Sequence, residues 1–313
     1  MNYRELRQEG ARRLREHGVL DPDFDARELL FYASGMDYQT YILKESEDAD
    51  GIKDAYLALI DRRAAREPLQ HLTGFQDFMG YEFKVSKDVL IPRQDTETLV
   101  MEAEKDLRSR TGRTGEIRLL DICTGSGCII LSLVLRNIDR IPDLSAEASD
   151  LSEKALAIAE ENAERLGVKD RVRFHQGDLF HFMESPEDGQ EKPEKKQSDP
   201  ASKVTGEDDL YDLIVSNPPY IPSDVIPGLM PEVRSGDPIL ALDGGKDGLS
   251  IYRRLIPDAY ERLKERGALY LEIGFDQAKA VRDLMEKAGF TQVRTVQDLA
   301  GNDRVVCGKK VSN

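Results

Sequence analysis

The sequence predicts an α/β protein with a mostly parallel β-sheet that ends in an antiparallel C-terminal hairpin and is preceded by a small helical domain and a β-hairpin linker. From about residue 115, apolar segments of strand length alternate with helical segments, an order typical of a parallel sheet. Before residue 70 the apolar period is helical, and around residues 81–85 it changes to two. The last two apolar segments flank a turn-like stretch at residues 300–303, which predicts the antiparallel edge.

Composition restricts the classes of protein to consider. The chain has 313 residues, of which 40% are hydrophobic and 33% charged, so it is long enough for two domains with a sizeable core. We find no apolar stretch of membrane-spanning length and no signal peptide at the N-terminus. Its three cysteines are too few and too scattered for a disulfide framework or a zinc site. We therefore expect a reduced, cytoplasmic protein with no metal.

The formal net charge of −15 bears on the choice of partner. Non-specific binding to nucleic acid depends on neutralising phosphates with Lys and Arg, which an acidic chain must do against its own field. The charge therefore argues against a nucleic-acid substrate, although it does not exclude a local basic patch. A basic protein partner is favoured.

Residues 1–73 are predicted to form the helical domain. Leu6 and Leu14 share one face of a first helix, and Asp21 is placed to cap a second. A third helix is expected near residues 48–67 and is ended by a proline. The domain could be a stabilising bundle or a module that docks a partner, and the sequence leaves both open.

Residues 74–92 are predicted to form the β-hairpin linker. Tyr81 and Phe83 lie on the same face of an alternating segment, and Met79-Gly80 is a suitable turn. This segment connects the helical domain to the larger α/β domain.

Residues 93–313 are predicted to form the α/β domain, starting with a helix capped by Asp95 or Thr96. Residues 185–209 interrupt it with eight acidic residues and no aromatic one, and such a segment buries too little surface to offset its chain entropy. We expect it to be a disordered insertion.

Further strands are predicted near residues 117–122, 146–150, 171–176, 211–216, 268–273, 291–296 and 304–308, and helices near 127–137, 152–166, 249–265 and 276–288.

A glycine loop follows the first strand of this domain. Free N–H groups at the start of the next helix, with glycines that let a ligand approach the backbone, favour a nucleotide-type ligand. The loop departs from the dinucleotide fingerprint G-x-G-x-x-G, because the third glycine would fall at Ile130. A ligand without a pyrophosphate is therefore favoured. The candidate cofactor-binding residues here are Asp121, Cys123, Thr124, Gly125, Ser126 and Gly127.

The next two strands end in acidic residues. Asp150 lies 23 residues past Gly127, where a carboxylate can accept hydrogen bonds from two ribose hydroxyls. Alternatively, Asp150 caps the helix that begins near Ser152. Asp178 and Leu179 follow the third strand and are candidates to contact an adenine ring. The carboxyl ends of these strands should open onto one crevice.

The fourth strand runs into Asn217-Pro218-Pro219-Tyr220. Two successive prolines fix φ and make a rigid end. The Asn217 amide oxygen and the Pro218 carbonyl can accept both hydrogens of an amino group, while Tyr220 packs against its planar support. A simple proline-rich turn is the alternative, but the three preceding strand ends favour a site. All four residues are candidate catalytic residues, and Asn217 is also a candidate cofactor contact.

Together, these four strand ends resemble the class I S-adenosylmethionine-dependent methyltransferases, whose sheet is Rossmann-like. The Asn-Pro-Pro-Tyr motif resembles that of the amino-methyltransferases, which act on glutamine amides or on amines of adenine and cytosine. Residues 67–74, 89–97 and 241–249 resemble the peptide chain release factor glutamine N5-methyltransferases (HemK/PrmC-like). The resemblance covers nearly the whole chain outside residues 185–209. Cys123 and Gln94 depart from the glycine and the proline expected there.

This resemblance implies a reaction and a partner. The methyl group of S-adenosyl-L-methionine would pass to N5 of the glutamine in the Gly-Gly-Gln motif of release factors, leaving S-adenosyl-L-homocysteine and modulating translation termination. The helical domain would dock the release factor, with no metal and no membrane involved. The alternatives are a ribosomal-protein glutamine, a DNA or RNA amino-methyltransferase, an NAD-dependent oxidoreductase and a non-catalytic binding subunit. The missing third glycine argues against NAD, and the acidic charge argues against nucleic acid.

Overall fold

The computed structural model describes residues 1–112, 115–184 and 210–311, so the predicted insertion at residues 185–209 lies outside the described part. The helices in this part are α1 (Tyr3–Glu16), α2 (Pro22–Ser34), α3 (Tyr38–Lys44), α4 (Asp50–Ala64), α5 (Leu69–Thr73), α6 (Glu97–Ser109), α7 (Cys128–Asn137), α8 (Glu153–Arg165), α9 (Pro231–Gly236), α10 (Ile239–Leu242), α11 (Ser250–Arg262) and α12 (Ala278–Lys287). The strands are β1 (Phe75–Phe78), β2 (Tyr81–Lys84), β3 (Ile117–Ile122), β4 (Leu144–Asp150), β5 (Val172–Gln176), β6 (Tyr211–Ser216), β7 (Leu263–Glu272), β8 (Thr291–Gln297) and β9 (Asp303–Lys309).

Helices α1 to α5 form an N-terminal bundle with its own apolar core. Asp21 caps α2 as predicted, since its side chain accepts a hydrogen bond from the Phe24 backbone N–H at 3.3 Å. Tyr56 is fully buried, and its hydroxyl donates to the carbonyl of Ala26. Gly10 makes room for this ring, because a Cβ there would lie 2.0 Å from the Tyr56 oxygen. The two short helices α3 and α5 were not predicted.

Strands β1 and β2 form the antiparallel hairpin, with the predicted turn at Met79 and Gly80, both at positive φ. Asn162, a fully buried residue of α8, fastens this hairpin to the larger sheet. Its side chain accepts from the Lys84 N–H at 2.7 Å and donates to the carbonyls of Lys84 and Ser126 at 3.0 and 2.9 Å. The hairpin is thereby held against the glycine loop.

Within the described residues, seven strands form one sheet in the order β5-β4-β3-β6-β7-β9-β8. Strands β3 to β7 pair in parallel, whereas β9 pairs antiparallel with both β7 and β8, as predicted. Apolar side chains cover both faces of the sheet. Strand β7 begins earlier than predicted, at Leu263, and is irregular at Arg266, where φ is +61°. The parallel order brings the carboxyl ends of β3, β4, β5, β6 and β7 to one edge.

Helix α6 follows a 3-10 turn rather than a capping residue. Thr96 occupies the N-cap position, but its side chain makes no cap hydrogen bond because its backbone is already helical, at φ −64° and ψ −21°. Asp95 instead pairs with Arg304 at 3.2 Å. The prediction that either side chain caps this helix was therefore wrong, and both are available for contacts near the sheet edge.

A partly buried ion cluster links the N-terminal bundle to α9. Arg63 pairs with Asp25 at 2.7 Å and with Glu232 of α9 at 3.1 Å, while Arg66 pairs with Glu232 at 2.6 Å. Burial raises the pKa of Asp25 more than Arg63 lowers it. Burial also favours a higher pKa for Glu232, but hydrogen bonds from Arg66 and Arg63 outweigh it and lower the pKa to about 2. We call Asp25, Arg63, Arg66 and Glu232 the ion cluster.

Among residues 1–112, 115–184 and 210–311, no helix is both long and apolar enough to span a membrane. In the same part of the chain, no group of three or more His, Cys, Asp or Glu side chains is arranged to hold a metal ion.

Candidate active site

The carboxyl ends of the parallel strands surround an open cleft, which is where open α/β sheets bind their ligands. Its lining has two sides. We call residues 123–126, 149–152 and 177–179 the glycine-loop side. The Asn217 side consists of Pro92, Arg93, Thr96, Asn217, Pro219, Pro238, Leu240 and Ala241. Of the predicted site residues, the cleft is lined by Cys123, Thr124, Gly125, Ser126, Asp150, Asp178, Leu179, Asn217 and Pro219. Asp121, Gly127, Pro218 and Tyr220 do not line it.

The glycine loop is shaped by its backbone. Cys123, Gly125 and Gly127 all have positive φ, at +61°, +57° and +79°, a region that glycine tolerates and cysteine does not favour. A Cβ at Gly125 would meet no atom within 4 Å, so the loop is open to a ligand there. A Cβ at Gly127 would come within 3.2 Å of Ala159, so this glycine permits close packing of α7 and α8.

Asp121 supports the loop from behind. It is fully buried, and one of its carboxylate oxygens accepts a hydrogen bond from the Thr124 hydroxyl at 2.6 Å. Burial raises the pKa of Asp121 to about 7, despite this hydrogen bond. Thr124 is held again by its backbone N–H, which donates to the Ser149 carbonyl of β4. Asp121 therefore fixes the loop rather than contacting a ligand in the cleft.

Asp150 bridges the glycine loop and the start of α8. One carboxylate oxygen accepts from the Gly125 N–H and the other from the Ser152 N–H, both at 2.9 Å. Ser152, not Asp150, is the side-chain cap of α8, since its hydroxyl accepts from the Ala155 N–H. Burial raises the pKa of Asp150 in spite of the backbone donors. Each carboxylate oxygen has a further lone pair, so both can also accept from ligand hydroxyls in the cleft.

Asp178 and Leu179 lie where β5 ends. The Asp178 carboxylate pairs with Arg254 at 2.7 Å, and both side chains are about half exposed. Leu179 is buried, with φ at +56°. The preceding Gly177 is required because a Cβ there would lie 2.8 Å from the Phe182 nitrogen. Leu179 thus offers the cleft an apolar surface, while Asp178 is held at its rim.

Asn217 is oriented by Thr96. The Asn217 side-chain N–H donates to the Thr96 hydroxyl oxygen at 3.5 Å, a long bond of the kind that tightens when an acceptor binds. Among the described residues, no group donates to the Asn217 side-chain oxygen. That oxygen can therefore accept a hydrogen from a ligand.

Tyr220 packs behind the cleft rather than in it. Its hydroxyl donates to Glu272 at 3.3 Å, and its carbonyl accepts from the Gln277 side chain at 2.9 Å. Burial raises its pKa. Gly244 and Gly248 lie directly against its backbone, since a Cβ at either would come within 2.7 Å of it. The loop that contains these glycines supports the motif from below.

Sequence reasoning missed several residues of the Asn217 side. Arg93 lines the cleft and pairs with the buried carboxylate of Asp237, which also accepts from the Ile91 N–H at 3.1 Å. Leu240, on α10, adds an exposed apolar surface. The signal for residues 89–97 was present only as a resemblance, and nothing in the local pattern indicated that Asp237 would meet Arg93 from 144 positions away.

Comparisons with known proteins agree with this geometry. Residues 5–74 match the family model described as the PrmC N-terminal domain. The chain is 38% identical over 299 residues to a release factor glutamine methyltransferase of Caulobacter vibrioides, covering 95% of this chain and 93% of the relative. It is 40% identical over 306 residues to one of Moorella thermoacetica, covering 97% of both. The solved hMettl16 catalytic domain, 16% identical with a TM-score of 0.51, covers 84% of this chain and 83% of that one and shows the shared class I methyltransferase fold.

Proposed function

The chain belongs to the family of release factor glutamine methyltransferases, and on that premise we propose how its cleft performs the reaction. The chain is a protein-(glutamine-N5) methyltransferase. Its donor is S-adenosyl-L-methionine, its product S-adenosyl-L-homocysteine, and its acceptor the glutamine of the Gly-Gly-Gln motif in peptide chain release factors. The observation that carries the proposal is that Asn217 lines the cleft opposite the glycine loop, and that its side-chain oxygen accepts no hydrogen bond from the described residues.

The glycine-loop side fits the methyl donor. Gly125 leaves its backbone open, and the Asp150 carboxylate, at the cleft wall, can accept from two ribose hydroxyls. Leu179 is placed to pack on the adenine ring. When bound, S-adenosylmethionine would supply a methyl group from a positively charged sulfur. The carbon–sulfur bond would break as the carbon–nitrogen bond forms, and the methylated nitrogen would then release its proton to water.

The Asn217 side fits the acceptor amide. A glutamine amide nitrogen is a poor nucleophile because its lone pair is delocalised into the carbonyl. We propose that the Asn217 oxygen and the Pro218 carbonyl each accept one amide hydrogen and so hold the nitrogen in line with the methyl group. This is catalysis by orientation and by preorganised dipoles. Pro219 shapes the wall, and Tyr220 anchors the motif to the sheet.

The division of labour along the chain is part of the proposal. Residues 1–73 dock the release factor, residues 74–92 connect, and residues 93–313 carry the reaction. The ion cluster supports a docking role, because it fastens the N-terminal bundle to α9, next to the wall of the Asn217 side.

Tandem mass spectrometry of a release factor incubated with this protein and S-adenosylmethionine tests the proposal. We expect one added methyl on the Gly-Gly-Gln glutamine, and none on a release factor whose tripeptide glutamine is replaced by alanine. Asn217→Ala should lower kcat about 100- to 1000-fold, the usual cost of losing one preorganised polar group, while leaving donor affinity by calorimetry within about threefold. Duplex DNA in the same reaction is the competing acceptor. Methylated DNA beside an untouched release factor would overturn the acceptor assignment.

A further inference from the structure

A second cavity lies between the N-terminal bundle and the wall of the cleft. It is lined by residues of α2, by Arg63 of α4, by the start of α5, by residues 91 and 93 before α6, and by Glu232 of α9. We call this cavity the bundle pocket. It contains none of the site residues that the sequence predicted, and the proposed reaction does not use it.

The bundle pocket and the cleft share a wall. Pro92 lines the cleft, Ile91 lines the bundle pocket, and Arg93 lines both. Further along the chain, Glu232 lines the bundle pocket and Pro238 lines the cleft. Two segments of the chain therefore run along both cavities. A ligand that extends out of the cleft along Arg93 reaches the bundle pocket.

Close packing holds the bundle pocket beside the cleft. A Cβ at Gly236, the last residue of α9, would lie 2.5 Å from the Pro68 ring at the start of α5, so a larger residue does not fit there. The next residue, Asp237, accepts from the Ile91 N–H at 3.1 Å and pairs with Arg93. The bundle, α9 and the segment before α6 are thus fixed against one another, and the bundle pocket is formed before any ligand arrives.

Two polar side chains of the bundle pocket have hydrogen-bonding groups to spare. The half-buried side-chain amide of Gln70 makes no hydrogen bond with the described residues, and an amide can donate and accept at once. Arg93 directs one nitrogen at Asp237, and no other described group accepts from its remaining N–H groups. The Arg93 side chain is 41% exposed, so those N–H groups can reach a ligand.

The other lining residues indicate the chemical class of that ligand. The four charged residues of the bundle pocket are two arginines and two acids, so their formal charges cancel. Asp25 and Glu232 are both paired with Arg63 already. A phosphate or a free cation therefore gains no net attraction there. Leu69 and Ile91 add apolar surface. Spare donors and one acceptor beside an apolar surface suit a neutral peptide backbone that carries an apolar side chain.

We propose that the bundle pocket binds, as an extended peptide, the stretch of the release factor that flanks its Gly-Gly-Gln glutamine. Gln70 donates to and accepts from the backbone of this stretch, and Arg93 donates to a peptide carbonyl on the way to the cleft. This inference rests on the proposed function and goes beyond it by naming where the flanking residues bind. A peptide held at two points enters the cleft in one direction, which selects the glutamine that reaches Asn217.

Two substitutions test the bundle pocket by kinetics. Gln70→Ala removes the spare amide, while Arg93→Lys keeps a positive charge opposite Asp237 but loses the planar fork of N–H groups. Each should raise KM for the release factor about 5- to 20-fold, the cost of one or two hydrogen bonds. The kcat value and the donor affinity by calorimetry should stay near those of the wild type. Gln70 has no hydrogen-bond partner among the described residues, so its loss should not unfold the chain.

Gln39→Ala is the matched control for these kinetics. Gln39 is an exposed glutamine of α3 in the same bundle, and it lines neither cavity. This variant should keep the wild-type KM for the release factor. A rise in KM equal to that of Gln70→Ala would contradict the proposal.

A photo-crosslink locates the peptide directly. The variant Gln70→p-benzoylphenylalanine is irradiated in complex with the release factor and S-adenosyl-L-homocysteine, and tandem mass spectrometry maps the bond. The crosslink should fall within about ten residues of the Gly-Gly-Gln motif, a stretch that spans up to about 35 Å when extended. The same group at position 39 should give no crosslink in that stretch.

The outcomes distinguish the two proposals. A wild-type protein that leaves the release factor unmethylated refutes the proposed function. If the wild type is active, the role of the bundle pocket is overturned when Gln70→Ala or Arg93→Lys keeps KM within about twofold of the wild-type value. It is also overturned when the crosslink from position 70 is absent or falls outside the stretch that flanks Gly-Gly-Gln.

Discussion

The two sides of the cleft are built in different ways. The glycine-loop side is formed by the ends of three successive strands of the α/β domain, around an exposed backbone. Gly125 leaves that backbone open, and the Asp150 carboxylate accepts from two backbone N–H groups. The Asn217 side is made by side chains that meet from distant segments, such as Thr96, which accepts from Asn217, and Arg93, which pairs with Asp237. A donor common to many methyltransferases can be bound at successive strand ends, whereas a particular acceptor needs a wall assembled from distant segments.

A substitution in the ion cluster should have the largest effect and gives the strongest test of the difference between the two sides of the cleft. Arg63→Ala should lower the free energy of unfolding by about 3–5 kcal/mol, because it leaves Asp25 and part of Glu232 buried without their partner. It should also raise KM for the release factor, since α9 is next to the wall of the Asn217 side, and leave donor affinity unchanged. Urea unfolding, steady-state kinetics and calorimetry measure these three quantities.

Arg12→Ala is the control for that prediction. Arg12 pairs with Glu9 and Glu16 on the exposed face of α1, and exposed pairs of this kind contribute little. We expect no measurable change in stability or kinetics. If Arg63→Ala weakened donor binding and release-factor binding equally, the two sides of the cleft would depend on the rest of the fold to the same degree.

Asp150→Ala tests the glycine-loop side alone. It removes the acceptor of the Gly125 and Ser152 N–H groups and the proposed partner of the ribose hydroxyls. Donor affinity should fall about 10- to 100-fold, the cost of hydrogen bonds to a charged group, while KM for the release factor at saturating donor stays near its wild-type value. Calorimetry measures the donor affinity, and steady-state kinetics measures KM for the release factor. Asp150→Asn keeps one acceptor oxygen and should therefore lose less donor affinity than Asp150→Ala. An equal loss of donor affinity in the two variants would contradict the role of Asp150 as a bridge between the glycine loop and α8.

The pH dependence of stability tests the Asn217 side. Burial raises the pKa of Glu272 from 4.5 to about 7, although the Thr96 and Tyr220 hydroxyls and the charge of Arg304 lower it. The folded state therefore holds a proton that the unfolded state loses, so this carboxyl reduces stability as pH rises from about 4.5 to about 7. The groups that face Glu272 are Thr96, Tyr220, Asp95 and Arg304, with Tyr252 bonded to its carbonyl.

Glu272→Gln removes this contribution. Relative to wild type, the variant should gain on the order of 2 kcal/mol in unfolding free energy between pH 5 and pH 8. Asp121, whose pKa burial also raises to about 7, is present in both proteins and cancels in the difference. Urea unfolding of both proteins at pH 5 and pH 8 measures this difference in unfolding free energy. A difference that does not change with pH would mean that Glu272 is ionised throughout this range.

The smallest expected effect concerns the backbone of the glycine loop. Cys123 has φ +61°, a region that costs a residue with a Cβ about 1 kcal/mol. Cys123→Gly should raise the free energy of unfolding by up to about that amount, with donor affinity unchanged. Cys123→Ala keeps the Cβ and should give no such gain in thermal or urea unfolding. If alanine stabilised as much as glycine, the side chain rather than the backbone would be the source of strain.

The sequence predicted the α/β class and the antiparallel edge because period and glycine turns are local signals. For the same reason it located Gly125, Asp150 and Asn217, which follow strands directly and line the cleft. It did not predict that Arg93 at the cleft wall would pair with Asp237, because the two residues lie 144 positions apart and their pairing has no local signature. It misplaced Thr96 as a helix cap, since only the folded chain brings that hydroxyl to Asn217.

The contact between Tyr220 and the glycines of residues 243–248 has a consequence for protein engineering. Gly244 and Gly248 press on the Tyr220 backbone so closely that no larger residue fits at either position. The Gly244 N–H also donates to the carbonyl of Ile221, directly after the motif. A transplant of Asn-Pro-Pro-Tyr into another sheet would therefore arrive without its support. The tetrapeptide and this glycine loop behave as a single transferable part, although they are separate segments of the sequence.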